Sequence, residues 1–258
     1  MNYLKMFSGV KLPMINVDTC KEQLVENLWL PYTKEAGQLF YPRLRKNKKM
    51  KIFSLTNENN LSDILKFEEN NLIQRDDCIV WARTSFKKIR LETESVGGVL
   101  GPAHYPDTVL TNATAIAGHF PRDIINLDFS SQDIAIEDGR IEKEISSVEK
   151  TIELQNNSGG DKFLLFFTTI IDDRNINAAD VKATSDAIQM NGWAGLNIEG
   201  FTSPIVDLEN KKSFLREVIS RLCAKYGYEC TKIDINNIDI PSRTEKVFSV
   251  AGLFCRRG

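Results

Sequence analysis

From Lys51 onward the chain alternates short apolar runs with amphipathic stretches. "KIFSL", "CIVWA", "GGVLG", "DIINLDF" and "KFLLFFTTII" read as strands, and "KFLLFFTTII" is the most apolar of them. Between them the apolar residues fall at helical spacing. Leu61, Ile64, Leu65 and Phe67 share one face of "LSDILKFEENNLI", and Ile141, Ile145, Val148 and Ile152 share one face of "GRIEKEISSVEKTIELQ". "SFKKIRLETES", "NAADVKATSDAIQ" and "KKSFLREVISRLCAKYG" read as further helices, and "TVLTNATAIAG" as a short helix or an irregular connection. Strands that alternate with helices imply right-handed crossovers and a mostly parallel sheet covered on both faces. The ending differs. "YECTKIDI" and "KVFSVAGLFCRR" have only a polar stretch with Pro241 between them, which leaves no room for a helix, so they are expected to pair antiparallel.

The first 49 residues carry a different pattern. Leu24, Val25, Leu28 and Trp29 have helical spacing, Asp18 or Thr19 can cap the start, and Pro31 is expected to end the helix. A basic connector, "FYPRLRKNKKMK", follows. The expected organisation is an N-terminal helical cap with its connector over 1–49 and an α/β domain over 50–258.

Composition narrows the class. The chain has 258 residues, 42% of them hydrophobic and 26% charged, with a net charge of -2, as expected for a soluble protein that buries a full core. No apolar run nears the roughly 20 residues of a membrane span. The first residues lack the apolar core of a secretory leader. These features predict a cytoplasmic protein with no membrane partner. The five cysteines are widely spaced without a C-x-x-C pair, and the two histidines, His104 and His119, lack H-x-x-x-H spacing, so no metal site is expected.

The order of several βα units closing with a helix and an antiparallel hairpin resembles the class I S-adenosylmethionine-dependent methyltransferases over residues 50–257. "LREVISRLCAKYGYECTKIDI" is similar to that family's last helix, glycine turn and sixth strand, and "VFSVAGLFCRR" to its reversed seventh strand. The resemblance implies a three-layer Rossmann-like α/β fold and S-adenosylmethionine as cofactor. It puts the cofactor beyond the first two strands, at Thr56, Asn57 and Glu58 and at Arg83, Thr84 and Ser85. "NLDF" resembles the motif IV tetrapeptide of amino-methyltransferases and, more loosely, a segment of the tRNA guanine dimethyltransferases. That likeness implies that Asn126 and Asp128 hold an acceptor amine while Phe129 stacks on its base.

Beside an enzyme of another class on the same sheet, with Arg83 reading a phosphate, two readings of function follow. One is a divergent methyltransferase acting on a nitrogen acceptor, including one in a nucleic acid. The other is a catalytically inactive, methyltransferase-like scaffold that binds a protein or a nucleic acid. Two departures from the family pattern favour the second: the turn Thr56–Asn60 has no glycine, and Arg83 stands after the second strand where the family tends to carry an acid. Arg43, Arg45, Lys46, Lys48 and Lys49 could hold nucleic-acid phosphates, or form a solvated connector. Asp128 reads equally as a loop cap at the sheet edge.

Overall fold

The computed structural model describes residues 17–41, 49–55, 61–82, 96–100, 113–129, 140–171, 208–239 and 246–257. Seven strands form one sheet: β1 (Met50–Ser54), β2 (Ile73–Ala82), β3 (Gly97–Leu100), β4 (Ile124–Asp128), β5 (Lys162–Ile171), β6 (Tyr228–Asp239) and β7 (Lys246–Arg256). Their spatial order is β3-β2-β1-β4-β5-β7-β6. β1 to β5 are mutually parallel, and β4 and β5 are adjacent. β7 runs antiparallel to both β5 and β6, so the last hairpin inserts its second strand beside β5. Gly227, at φ 81°, makes the turn from the last helix into β6, a backbone angle that side-chain-bearing residues rarely adopt.

Strand alternation divides the core in two. Phe53, Ile125, Leu127, Phe163, Leu165, Phe167, Phe248, Val250 and Phe254 point to one face. There they meet α4 (Ala113–Ala117), α5 (Arg140–Asn157) and α6 (Leu208–Lys225). Ile52, Ile124, Leu164, Phe166, Ala251 and Leu253 point to the other face. That face is covered by α3 (Ser62–Glu69) and by the N-terminal helical segment, made of α1 (Val17–Leu24), a π turn (Val25–Trp29) and α2 (Leu30–Phe40). Leu24, Leu28 and Trp29 all lie in this second core, and the Trp29 ring stacks on Phe166 with centroids 5.1 Å apart. A short amphipathic helix cannot bury its face alone, and the sheet supplies the missing surface.

Three local expectations are corrected. The N-terminal segment does not stop at Pro31 but continues to Phe40. The N–H of Leu30 reaches back to the carbonyl of Val25, and Pro31 enters the first turn after this widened turn, where its missing donor costs least. The Thr33 hydroxyl also donates to the Trp29 carbonyl at 2.8 Å. The described helix begins at Val17, ahead of Asp18 and Thr19. In α3 the inward face carries Asp63, Ile64 and Phe67, while Leu65 is exposed. The stretches 85–95 and 177–189, read as helices, fall largely or wholly outside the described residues. No helix among the described residues is long and apolar enough to cross a membrane.

Candidate functional site

The strand order reverses between β1 and β4: from β1 the sheet grows outward through β2 and β3, and from β4 through β5. In open α/β sheets such a switch point opens a crevice beyond the carboxyl ends of the strands. Ser54, the last residue of β1, lies in register with Asn126 of β4, and Asp128 ends β4. Alternation sends Ser54, Asn126 and Asp128 toward the face that carries α3 and α1.

These side chains are bonded together. Asn126 Nδ2 donates to Asp63 Oδ2 at 2.8 Å and to Ser54 Oγ at 3.2 Å, and Ser54 Oγ donates to the same carboxylate oxygen at 3.4 Å. A carboxylate accepts from an amide nitrogen, which fixes which way the Asn126 amide points. Its other end, Asn126 Oδ1, is buried and finds no hydrogen-bond partner among the described residues. Asp63 occupies the first turn of α3, where the helix dipole favours a carboxylate. Lys21, from α1, completes the cluster: its Nζ is 3.6 Å from Asp63 Oδ1 and 3.7 Å from Asp128 Oδ2. Relative exposure is 6% for Lys21, 0% for Asp63 and Asn126, and 7% for Asp128, so the group is nearly sealed from bulk water. The Lys21 ammonium thus stands between two carboxylates carried by different elements.

The surroundings exclude one chemistry. Burial pushes the nearby Cys78 thiol well above its ordinary pKa, and the charge of Asp63 adds to the shift, so Cys78 stays protonated and is no nucleophile. Its Sγ lies 3.2 Å from the Gln74 carbonyl, inside the core. No group of three or more potential metal ligands occurs among the described residues.

The structure brings together Asn126 and Asp128 but not Phe129. Alternation turns the Phe129 ring to the opposite face, where it is fully buried edge-on against Phe167, with centroids 5.9 Å apart. The expectation that it stacks on a ligand beside Asn126 is therefore corrected. Thr56, Asn57, Glu58, Arg83, Thr84 and Ser85 lie outside the described residues, as do Arg43, Arg45, Lys46 and Lys48. Lys49 is described, and its ammonium bonds the Asn71 carbonyl at 2.7 Å, tying the start of β1 to the turn after α3.

Sequence reading missed Lys21, Asp63 and Ser54. The signal was present in the helical spacing. Lys21 falls on the stripe shared by Leu24, Val25 and Leu28, and Asp63 stands four residues before Phe67 on the inward face of α3. A charge on an apolar stripe must find a buried partner, and these two found each other.

No protein-family model matches this chain, and no curated protein matches it. Among solved structures, M. jannaschii TYW2 in complex with AdoMet is 9% identical, with a TM-score of 0.42 over 88% of this chain and 76% of that one. The METTL16 methyltransferase domain is 10% identical, with a TM-score of 0.37 over 93% of this chain and 83% of that one. The fold assignment rests on the topology itself. A β3-β2-β1-β4-β5-β7-β6 sheet with only β7 reversed is the arrangement expected from the resemblance, and the chain has the class I methyltransferase-like fold.

Proposed function

We propose that this chain is a divergent S-adenosylmethionine-dependent methyltransferase acting on a nitrogen acceptor, with a nucleic acid held by the basic residues of the 43–49 connector as one source of that nitrogen. The observation that carries this reading is the buried polar cluster at the switch point. Burying two carboxylates, an ammonium and an open amide oxygen costs stability that an apolar strand end would not.

The residues present fit the cofactor's charge. Two buried carboxylates and an open acceptor oxygen suit a cationic sulfonium and an amine better than they suit an anion. When bound, S-adenosylmethionine supplies an electrophilic methyl group. Thr56, Asn57, Glu58, Arg83, Thr84 and Ser85 would hold it. Asn126 Oδ1 would accept an N–H bond from the acceptor and aim its lone pair, and Asp128 would offset the positive charge that develops on the nitrogen. Orientation of this kind contributes most of the rate in a displacement that needs little acid–base help.

A second reading, an inactive scaffold, is favoured by the pairing of Asp128 with Lys21 and by the removal of Phe129 into the core. Titration calorimetry of the full chain with S-adenosylmethionine and S-adenosylhomocysteine separates the two. Binding in the micromolar range supports the methyltransferase. A folded protein that gives no heat at millimolar ligand supports the scaffold.

A further inference from the structure

We propose that the amino edge of the sheet carries a second binding site, a pocket between α2 and the turn after α3 that takes one unpaired base of a single-stranded nucleic acid, with Lys34 on the phosphate. This deepens the reading above, on which it rests for the purpose of the bound strand, by giving a nucleic-acid substrate a place to be gripped away from the reacting atoms. The pocket holds about 270 Å³ and is walled by α2, Tyr41, Met50 and the turn Asn71–Leu72. That is small beside the roughly 300–1,000 Å³ of a drug-sized ligand's site and suits a single ring system. Met50 opens β1, and Ser54, bonded into the polar cluster, closes it, so roughly 13 Å of strand separates the two sites.

Gly37 is the first pointer. It lies inside α2, where glycine weakens a helix relative to alanine. Its φ is not positive, and a Cβ there would meet only Met50 Cε, at an ordinary 3.5 Å. Neither the backbone nor the packing demands glycine, and its missing side chain leaves bare backbone and open space in the pocket. The walls match the parts of a nucleotide. Buried Met50 and half-buried Leu72 supply an apolar floor for a base. The Tyr41 hydroxyl donates to Asp123 Oδ1 at 2.5 Å, which fixes the ring as a wall before any ligand arrives.

The polar groups are open and lean to positive charge. Lys34 and Gln38 are exposed on α2, and neither makes a side-chain hydrogen bond or ion pair among the described residues. Asn71 Oδ1 accepts from the Lys49 ammonium, so its remaining capacity is the Nδ2 donor pair. Carboxamides of this kind bond base edges, and an ammonium bonds a phosphate. The sequence adds a third line. Arg43, Arg45, Lys46 and Lys48 all stand within four residues of Tyr41 or Lys49 along the chain, a density of positive charge that suits a polyanion. An apolar floor beside amide donors has no use for a bare phosphate, and a base-bearing strand uses all three.

Fluorescence anisotropy of the full chain with a labelled single-stranded RNA of about ten nucleotides tests this. It needs neither S-adenosylmethionine nor methyl transfer, so RNA binding beside calorimetric silence with the cofactor would leave this site standing and sink only the methyltransferase reading. An abasic strand of equal length should bind at least about fivefold more weakly, the loss expected for one stacked base. Gly37→Leu should weaken RNA binding by a similar factor without lowering the melting temperature, since leucine favours the helix and fills the pocket. Lys34→Ala should make the dependence of log affinity on log salt shallower by about 0.7, one phosphate contact on a single strand. Equal affinity for the abasic strand or for polyglutamate would reduce the region to a charged surface or an acidic-peptide site and overturn the proposal. So would the absence of RNA binding, or wild-type RNA affinity in a folded Gly37→Leu. If Gly37→Leu does not fold, Gln38→Ala takes its place: it should weaken the base-bearing strand and spare the abasic one, and equal effects on both, or none, overturn the proposal.

Discussion

On the sheet face under α5 and α6, the buried polar side chains leave no orphaned atom among the described residues, whether their bonds run along one helix or between elements, as from Thr169 of β5 to Glu144 of α5. Ser147 donates to the Lys143 carbonyl at 2.9 Å and Thr151 to the Ser147 carbonyl at 2.8 Å, each one turn back along α5. Gln155 grips both the N–H and the carbonyl of Arg122 at 2.9 Å, and Gly160 must lack a side chain because a Cβ there would meet the Gln155 amide at 2.3 Å. On the opposite face, polar atoms reach across elements: Lys21, Ser54, Asp63, Asn126 and Asp128 join α1, β1, α3 and β4. Trp29 Nε1 also donates to Ser249 Oγ of β7 at 2.9 Å. Closure without a remainder only completes a core. Cross-element closure with an oxygen left over makes fold stability and ligand chemistry depend on the same atoms.

The largest effect should come from the first face. Phe163 is fully buried, stacked on Phe254 at 5.3 Å and edge-on to Tyr228 at 4.9 Å. Phe163→Ala should cost about 3–5 kcal/mol in a urea titration through lost contacts and a cavity. It should leave the heat of ligand binding at the other face unchanged. A change in ligand affinity at constant fold would break the separation of the two faces.

Asp128→Asn should cost less, about 1–3 kcal/mol, because the shape is kept and Lys21 retains Asp63 as a partner. Methyl transfer should nonetheless be lost, since the neutral amide cannot offset charge on the acceptor. A stability loss as large as that of Phe163→Ala, with no other change, would make Asp128 a structural acid and erase the contrast between the faces.

The first face was legible in the sequence because apolar residues at period two and period 3.6 need only burial. Phe163, Leu165 and Phe167 of "KFLLFF" and the stripe through Ile145, Val148 and Ile152 line it. The antiparallel pairing of β6 and β7 followed from the helix-free link through Pro241, and the order of the sheet from the family resemblance. The second face was only half legible. Asn126 and Asp128 stood out as polar residues in an apolar strand, but their partners lie 63 residues away in one direction and come from the N-terminal helix in another. Periodicity reports which side of an element is buried, not which distant charge meets it. Phe129 misled for a related reason: adjacency in sequence places it beside Asp128, while alternation places it behind the sheet. Pro31 misled because a π turn upstream lets a helix absorb a residue that would otherwise end it.

The smallest effect concerns pH, at the sheet edge away from the cluster. His119 lies in the turn after α4, leading into the start of β4, with its N–H on the Ile116 carbonyl at 2.9 Å. Partial burial lowers its pKa below the usual value, and the neighbouring Arg122 guanidinium lowers it further. The folded chain therefore resists protonation of His119 more than the unfolded chain does. Its contribution to stability is intact above the unfolded value of about 6.5 and is lost as pH falls through the folded value. In that window the unfolded state binds more protons, so stability should rise with pH. His119→Gln should flatten the change in urea midpoint between about pH 7 and pH 5 while leaving the midpoint at neutral pH nearly unchanged, because only the protonated imidazole is penalised. An acid-induced loss of the same size in His119→Gln would mean that the sensitivity belongs to other groups and that the amino edge of the sheet is electrostatically silent. A flattened profile would leave the carboxyl edge, with its buried cluster, as the part of the fold that pays for function rather than for pH tolerance.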